Sequence, residues 1–238
     1  MSNNKHTVYY AFNSEVTLDL EPLLPNLKKK YGYKGSVFKD VLRCYALQED
    51  VKNTFIYKSP ISINIKYKDD KNGYEIFTNL KKDNEYDFES LATSGVNESE
   101  IVQLLYRYGV NFISEKNSLP FTICATNYHK TDVSNMPMVT GSYDCGKWFR
   151  SIFLAVLNID KKDFSIKQGE PLFYIKFHTD DQIHLEKFNM SKKADEVMLA
   201  TTTYKHSVSN TPLSKLYKLF EKTEMKSILI QAIKSEKI

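Results

Sequence analysis

The chain has 238 residues, of which 42% are hydrophobic and 13% aromatic, and this composition excludes a disordered or low-complexity protein. The net charge of +4 is concentrated at the C-terminus, where residues 187–238 hold ten Lys against five Asp or Glu. Only three of the 33 basic residues are Arg, which disfavours the reading of nucleic-acid bases, because such contacts use the guanidinium fork.

The cysteines and the apolar runs exclude several further classes. Cys44, Cys124 and Cys145 have no CxxC spacing, so neither a disulfide framework nor a zinc site is indicated and a reducing compartment is expected. Cys145 and His129 could form a nucleophile pair, although an incidental buried Cys is commoner. We find no apolar run of about 18 residues and no apolar leader in MSNNKHTVYY, so we expect a soluble, non-membrane protein.

The first elements follow from local patterns. Residues 6–12 (HTVYYAF) predict a strand, because they are aromatic and β-branched. Pro22 and Pro25 argue against a regular helix over residues 18–27. Residues 28–35 (KKKYGYKG) predict a solvated basic turn, with phosphate contact as the alternative.

The next segment predicts a short helix and then a hairpin. Residues 37–47 have helical apolar spacing, and residues 55–67 alternate in the manner of a strand with one wet face. The turn at residues 69–73 (DDKNG) connects this strand to the next one. Residues 81–99 are polar and predict a mobile insertion.

The densest strand signals lie in residues 139–177. Apolar runs interrupted by polar turns predict three strands there, and further strands are expected at residues 102–112, 120–125 and 183–188. We therefore expect a mainly β protein, an antiparallel β-sandwich or a barrel-like fold, of which a β-clip is one form.

The C-terminus changes from strand to helix patterns. Thr211 and Pro212 predict a helix start, and apolar residues then recur at three- and four-residue spacing. We expect a β-rich domain over residues 1–188, which includes the insertion, and a basic, helical appendage over residues 189–238.

Five segments of the sequence carry a resemblance to a known family. They are RCYA (43–46), KNTFIYKSP (52–60), GSYDCGKWFR (141–150), GEPLFYIKFHTDD (169–181) and the predicted helix over residues 213–220. On these segments most of the chain resembles a family of uncharacterised proteins of large tailed bacteriophages. The similarity departs from the family pattern at Tyr45 and Ser151, where the family usually has Pro. It implies a viral origin, in the host cytoplasm or the virion, and gives no activity.

Residues 139–177 alone resemble the last core motif of dUTP pyrophosphatases and related β-clip proteins. Tyr143 stands at the place of that family's base-stacking tyrosine, and Gly169-Glu170 at its strand-entry turn. The family's catalytic Asp motif and its Gly-rich arm are absent from the sequence. The resemblance therefore implies a related fold and disfavours dUTP hydrolysis.

One local pattern suggests a metal site. His178 and Asp180 have the HxD spacing of non-haem iron oxygenases, with His184 or His206 as a third ligand. An ordinary polar turn between strands explains the same residues, and we expect neither a metal nor another cofactor.

Trp148 is the only Trp of the chain and is followed two residues later by Arg150. With Tyr143, these side chains could form a ligand- or partner-binding surface. The alternative is that strand alternation places one face of this segment in the core, with the Arg150 stem lying along apolar surface.

Together these observations predict a protein that acts by binding, without catalysis. The first hypothesis is a virion or assembly component, or a host-directed interaction protein, with a protein partner or symmetric self-association. The second is a nucleotide- or small-ligand-binding β-clip relative, and the third an HxD oxygenase. Nucleic-acid binding through the Lys-rich tail is disfavoured.

Overall fold

The computed structural model of the protein describes residues 4–14, 18–33, 38–68, 73–78, 92–94, 101–104, 108–158, 160, 162–208 and 211–235. The helices in these ranges are α1 (Leu23–Tyr31), α2 (Phe38–Val41), α3 (Tyr45–Asp50), α4 (Lys192–Ser207), α5 (Leu213–Lys222) and α6 (Met225–Ser235). The strands are β1 (Lys5–Phe12), β2 (Glu21–Pro22), β3 (Thr54–Lys58), β4 (Ile63–Lys68), β5 (Gly73–Thr78), β6 (Ala92–Ser94), β7 (Ile101–Leu104), β8 (Val110–Ser114), β9 (Pro120–Cys124), β10 (Gly141–Asp144), β11 (Ser151–Ile152), β12 (Leu154–Leu157), β13 (Phe164–Ile166), β14 (Pro171–Phe177) and β15 (Gln182–Lys187).

Two large sheets form the body of the protein. The first has the order β11-β8-β1-β15, in which β1 and β15 run parallel and the other pairs antiparallel. The second is antiparallel, with the order β10-β9-β14-β3-β2. The predicted mainly β class with C-terminal helices is confirmed, and the described sheets are not closed into a barrel.

Alternation along the strands decides what each face contacts. On β1, Val8, Tyr10 and Phe12 belong to the main core between the two sheets, whereas Tyr9 and Ala11 face the other way. Aromatic rings meet across the interface: the Phe112 ring lies 5.3 Å from that of Phe121 on the opposite sheet. The two sheets therefore share one aromatic core.

Helices cover both outer faces of this sandwich. The outward residues of the first sheet pack against α4, α5 and α6 in a second apolar cluster. On the second sheet, outward-facing Ile56 and Tyr174 pack against Leu23 and Leu27 of α1. None of the helices in the described ranges is long and apolar enough to cross a membrane.

Two smaller antiparallel sheets extend the core. They have the orders β12-β7-β6 and β13-β4-β5. The predicted hairpin is confirmed by the pairing of β4 with β5, whereas its turn at residues 69–72 lies outside the described residues. Of the predicted insertion, residues 92–94 form β6, and residues 81–91 and 95–99 lie outside the described residues.

The N-terminal proline segment corrects the sequence analysis. Helix α1 begins at Leu23, so Pro25 is its third residue and Lys28, Lys29 and Lys30 form its last turn. The basic turn predicted over residues 28–35 was therefore wrong for residues 28–31, which belong to the helix. A proline is tolerated in a first helical turn, because the amides there have no intrahelical acceptor.

Two further elements differ from the sequence analysis. Residues 102–112 were expected to form one strand, but they contain parts of β7 and β8, which lie in different sheets. Helix α4 was not predicted, because three consecutive Thr residues lower its helix propensity. Ser191 caps its N-terminus, and the Thr201 hydroxyl donates to the Phe149 carbonyl at 2.8 Å.

Candidate functional site

A cleft of about 660 Å³ lies between α1, the end of β3 and the turn that precedes β14, and we call it the lysine-rimmed cleft. Its volume is in the range of small-molecule binding sites. The side chains that line it are mainly polar or basic, and the full set is Glu21, Pro22, Pro25, Asn26, Lys29, Lys30, Lys58, His129, Gly169 and Pro171.

Helix α1 places two of the lysines. Leu23 and Leu27 are buried against the second sheet, which fixes the rotation of the helix and leaves Asn26, Lys29 and Lys30 on the rim of the cleft. Cations are favourable in the last turn of a helix, since the C-terminal carbonyls carry partial negative charge. The lysines are thus placed by the same helix that the sequence analysis missed.

A continuous chain of hydrogen bonds forms the floor of the cleft. The Tyr174 hydroxyl accepts from the Tyr128 amide at 3.2 Å and lies 2.6 Å from His129 Nδ1. His129 Nε2 lies 3.2 Å from Asn26 Oδ1, and the Asn26 amide donates to Glu21 Oε2 at 2.8 Å. Because the Asn26 nitrogen donates to Glu21, the oxygen that faces His129 can only accept, so Nε2 carries the proton. In the neutral ring Nδ1 then accepts from the Tyr174 hydroxyl.

The electrostatics of the cleft agree with a neutral imidazole. Burial lowers the pKa of His129 to about 4, and the Lys30 and Lys58 ammonium groups act in the same direction. Lys58 donates to Glu21 at 2.6 Å and holds the pKa of that carboxyl below its ordinary value. Three ammonium groups thus face one carboxylate, and the cleft carries a net positive charge.

Stability should depend on pH through His129. Because its pKa is lower in the folded protein than the ordinary value of 6.5, the unfolded state binds more protons between these values. This contribution is fully present above pH 6.5 and is lost as the pH falls towards 4. Between pH 7 and pH 5 the loss is about 2 kcal/mol. Urea unfolding at pH 7 and pH 5 measures the loss.

The variant His129→Gln is the control for this titration. It keeps a polar side chain but removes the titrating group, so its unfolding free energy should change less between pH 7 and pH 5 than that of the wild type. An equal pH dependence in both proteins would contradict the assignment of the effect to His129.

A second cleft, of about 560 Å³, adjoins the first, and we call it the tyrosine-lined cleft. His129 borders both clefts. The side chains around the second cleft are mainly aromatic and uncharged polar, and the full set is Tyr31, Thr126, Asn127, Tyr128, His129, Lys130, Ser134 and Asn135.

The three binding residues predicted from sequence lie elsewhere. The Arg150 guanidinium lies over the Tyr143 ring, 5.0 Å from its centroid. Trp148 is only 4% exposed and packs against Phe220 of α5. Residues 148–150 are not in a strand, so the strand alternation expected for this segment was wrong. For Trp148, the core alternative is confirmed.

The residues of the HxD pattern have other surroundings. His178 Nε2 is hydrogen-bonded to the Thr122 hydroxyl at 2.6 Å, and Asp180 is exposed before β15. His184 lies on β15, beside Thr7 of β1. His206 belongs to α4, but its side chain lies outside the described residues. Within the described ranges, no three His, Cys, Asp or Glu side chains are grouped to hold a metal ion.

Cys145 and His129 do not form a pair. Cys145 is 1% exposed in the main core, where burial raises the pKa of its thiol. His129 lies against Tyr174, which belongs to the cluster on the outer face of the second sheet.

Sequence reasoning missed four members of the polar chain: Glu21, Asn26, Lys58 and Tyr174. Period-two alternation was the available signal for Tyr174, because Phe173 and Ile175 face the main core and Tyr174 must face outward. The other three come together only through tertiary contacts.

Comparison with protein-family models found no match, and no curated protein matches this chain.

Proposed function

We propose that this protein is a binding protein that holds an anionic ligand in the lysine-rimmed cleft. The observation that supports this most is the excess of ammonium groups: Lys58 is paired with Glu21, whereas Lys29 and Lys30 form no ion pair with a described acidic side chain. Unpaired cations around a concave site attract and hold negative charge.

Binding is favoured over catalysis by the state of His129. Nδ1 of the neutral ring accepts from Tyr174, and Nε2–H donates to Asn26. Neither nitrogen is free to take a proton from a ligand, so the residue serves as a fixed part of the floor.

The bacteriophage origin and the setting in the host cytoplasm or the virion stay predictions. The chemistry of anion binding would be the same in either place.

Inorganic phosphate is the first probe of this function. We expect it to raise the melting temperature, because a ligand at about a hundred times its Kd stabilises the folded state by about 2.7 kcal/mol. The double variant Lys29→Ala/Lys30→Ala should bind phosphate about tenfold more weakly, since it removes two charge contacts. Isothermal titration calorimetry at low salt measures the affinity.

The matched control is Lys192→Ala/Lys193→Ala. It removes the same charge from an exposed lysine pair at the start of α4. If this variant weakens phosphate binding as much as the cleft variant does, overall charge and not the cleft would be responsible. If phosphate, sulfate and citrate all leave the melting temperature unchanged, the proposal is wrong.

A further inference from the structure

We infer that the anionic ligand is a mononucleotide, with its phosphate among the lysines and its sugar and base in the tyrosine-lined cleft. The inference rests on the anion-binding function proposed above. It adds the chemical class of the ligand, which the lysines alone do not define.

The two clefts are placed to share one ligand. His129 borders both of them, so they are neighbours on one surface. Lys30 connects them as well: it lines the first cleft, and its ammonium lies 5.0 Å from the centroid of the Tyr31 ring in the second. A ligand that fills both must therefore carry an anionic group next to an uncharged part.

The tyrosines of the second cleft are held in place. The Tyr31 hydroxyl donates to the Tyr128 carbonyl at 3.2 Å, which ties α1 to the segment that carries His129. The Tyr128 ring stacks on that of Tyr174, with 6.2 Å between the centroids. Ring faces fixed in this way suit stacking against a planar base, because little side-chain freedom is lost on binding.

Polar groups with unused hydrogen-bonding capacity surround these rings. Within the part of the chain that the structure describes, no hydrogen bond engages the exposed side chains of Asn127 and Asn135. The Thr126 hydroxyl is buried without a described partner, although the residue borders the cleft. An unmatched buried hydroxyl is costly, and bases and sugars carry the donors and acceptors that would match these groups.

Calorimetry with AMP, ribose 5-phosphate and inorganic phosphate tests the inference. We expect AMP to bind about tenfold more tightly than ribose 5-phosphate, since base stacking on an aromatic side chain provides an additional contact. Tyr128→Leu should abolish this difference, because it removes the ring on which the base stacks. Lys29→Ala/Lys30→Ala should weaken all three ligands together.

A second variant tests the same inference if Tyr128→Leu fails to fold. Asn127→Ala/Asn135→Ala changes two exposed side chains and should lower AMP affinity severalfold, whereas Asn117→Ala, an exposed Asn outside the cleft lining, should not. Equal binding of AMP and ribose 5-phosphate would overturn the mononucleotide assignment and leave anion binding intact. Failure of all three ligands to bind would overturn both.

Discussion

The variant Trp148→Ala should lose about 3–5 kcal/mol of unfolding free energy. The side chain is 4% exposed and lies 5.7 Å, centroid to centroid, from the Phe220 ring, in the cluster that attaches the C-terminal helices to the first sheet. Its removal leaves a large cavity between two layers that cannot collapse freely. Urea or thermal unfolding, followed by circular dichroism, measures the loss.

Trp148→Phe is the matched control, because it keeps an aromatic ring in the same site. It should cost clearly less than the alanine variant, since most of the apolar surface remains buried. A Trp148→Ala protein with wild-type stability would contradict the packing role. That result would favour the hypothesis that the only Trp of the chain lies on a binding surface.

The β-sandwich was predictable because its strands follow simple alternation. In HTVYYAF every second residue from Val8 onwards belongs to the main core, and PFTIC and LFYIKF follow the same rule with their aromatic residues. The parallel pairing of β1 with β15 was not predictable, since most of the chain separates the two strands. Sequence periodicity identifies the faces of a strand but not its neighbours.

The candidate site was less accessible to sequence reasoning than the fold. Lys29 and Lys30 were recognised as a basic patch, but a helix and not a loop presents them. The partners of His129 are Tyr174 and Asn26, and each is more than 40 residues distant from it in sequence. Isolated polar residues carry no period or motif. Whether they form a site therefore depends on the tertiary fold.

Asp144→Ala should destabilise the protein by about 3 kcal/mol. The Asp144 carboxylate is 6% exposed and accepts hydrogen bonds from the Leu119 amide at 2.8 Å, the Gly146 amide at 2.9 Å and the Ser118 hydroxyl at 2.5 Å. Alanine leaves both buried amides without an acceptor, and each such loss costs about 1–3 kcal/mol. Urea unfolding at neutral pH measures the change.

The loop that Asp144 organises also holds the C-terminal helices. The Asp144 backbone amide donates to the Tyr217 hydroxyl of α5 at 3.1 Å, and Lys226 of α6 donates to the Lys116 and Gly146 carbonyls.

Asp144→Asn is the control for the alanine variant. The Asn side-chain oxygen can keep the hydrogen bonds from the Leu119 and Gly146 amides, and its side-chain nitrogen can donate to Ser118. We expect this variant to lose about 1 kcal/mol of unfolding free energy. Equal losses in the Asn and Ala variants would show that the negative charge, and not the acceptor geometry, stabilises this corner.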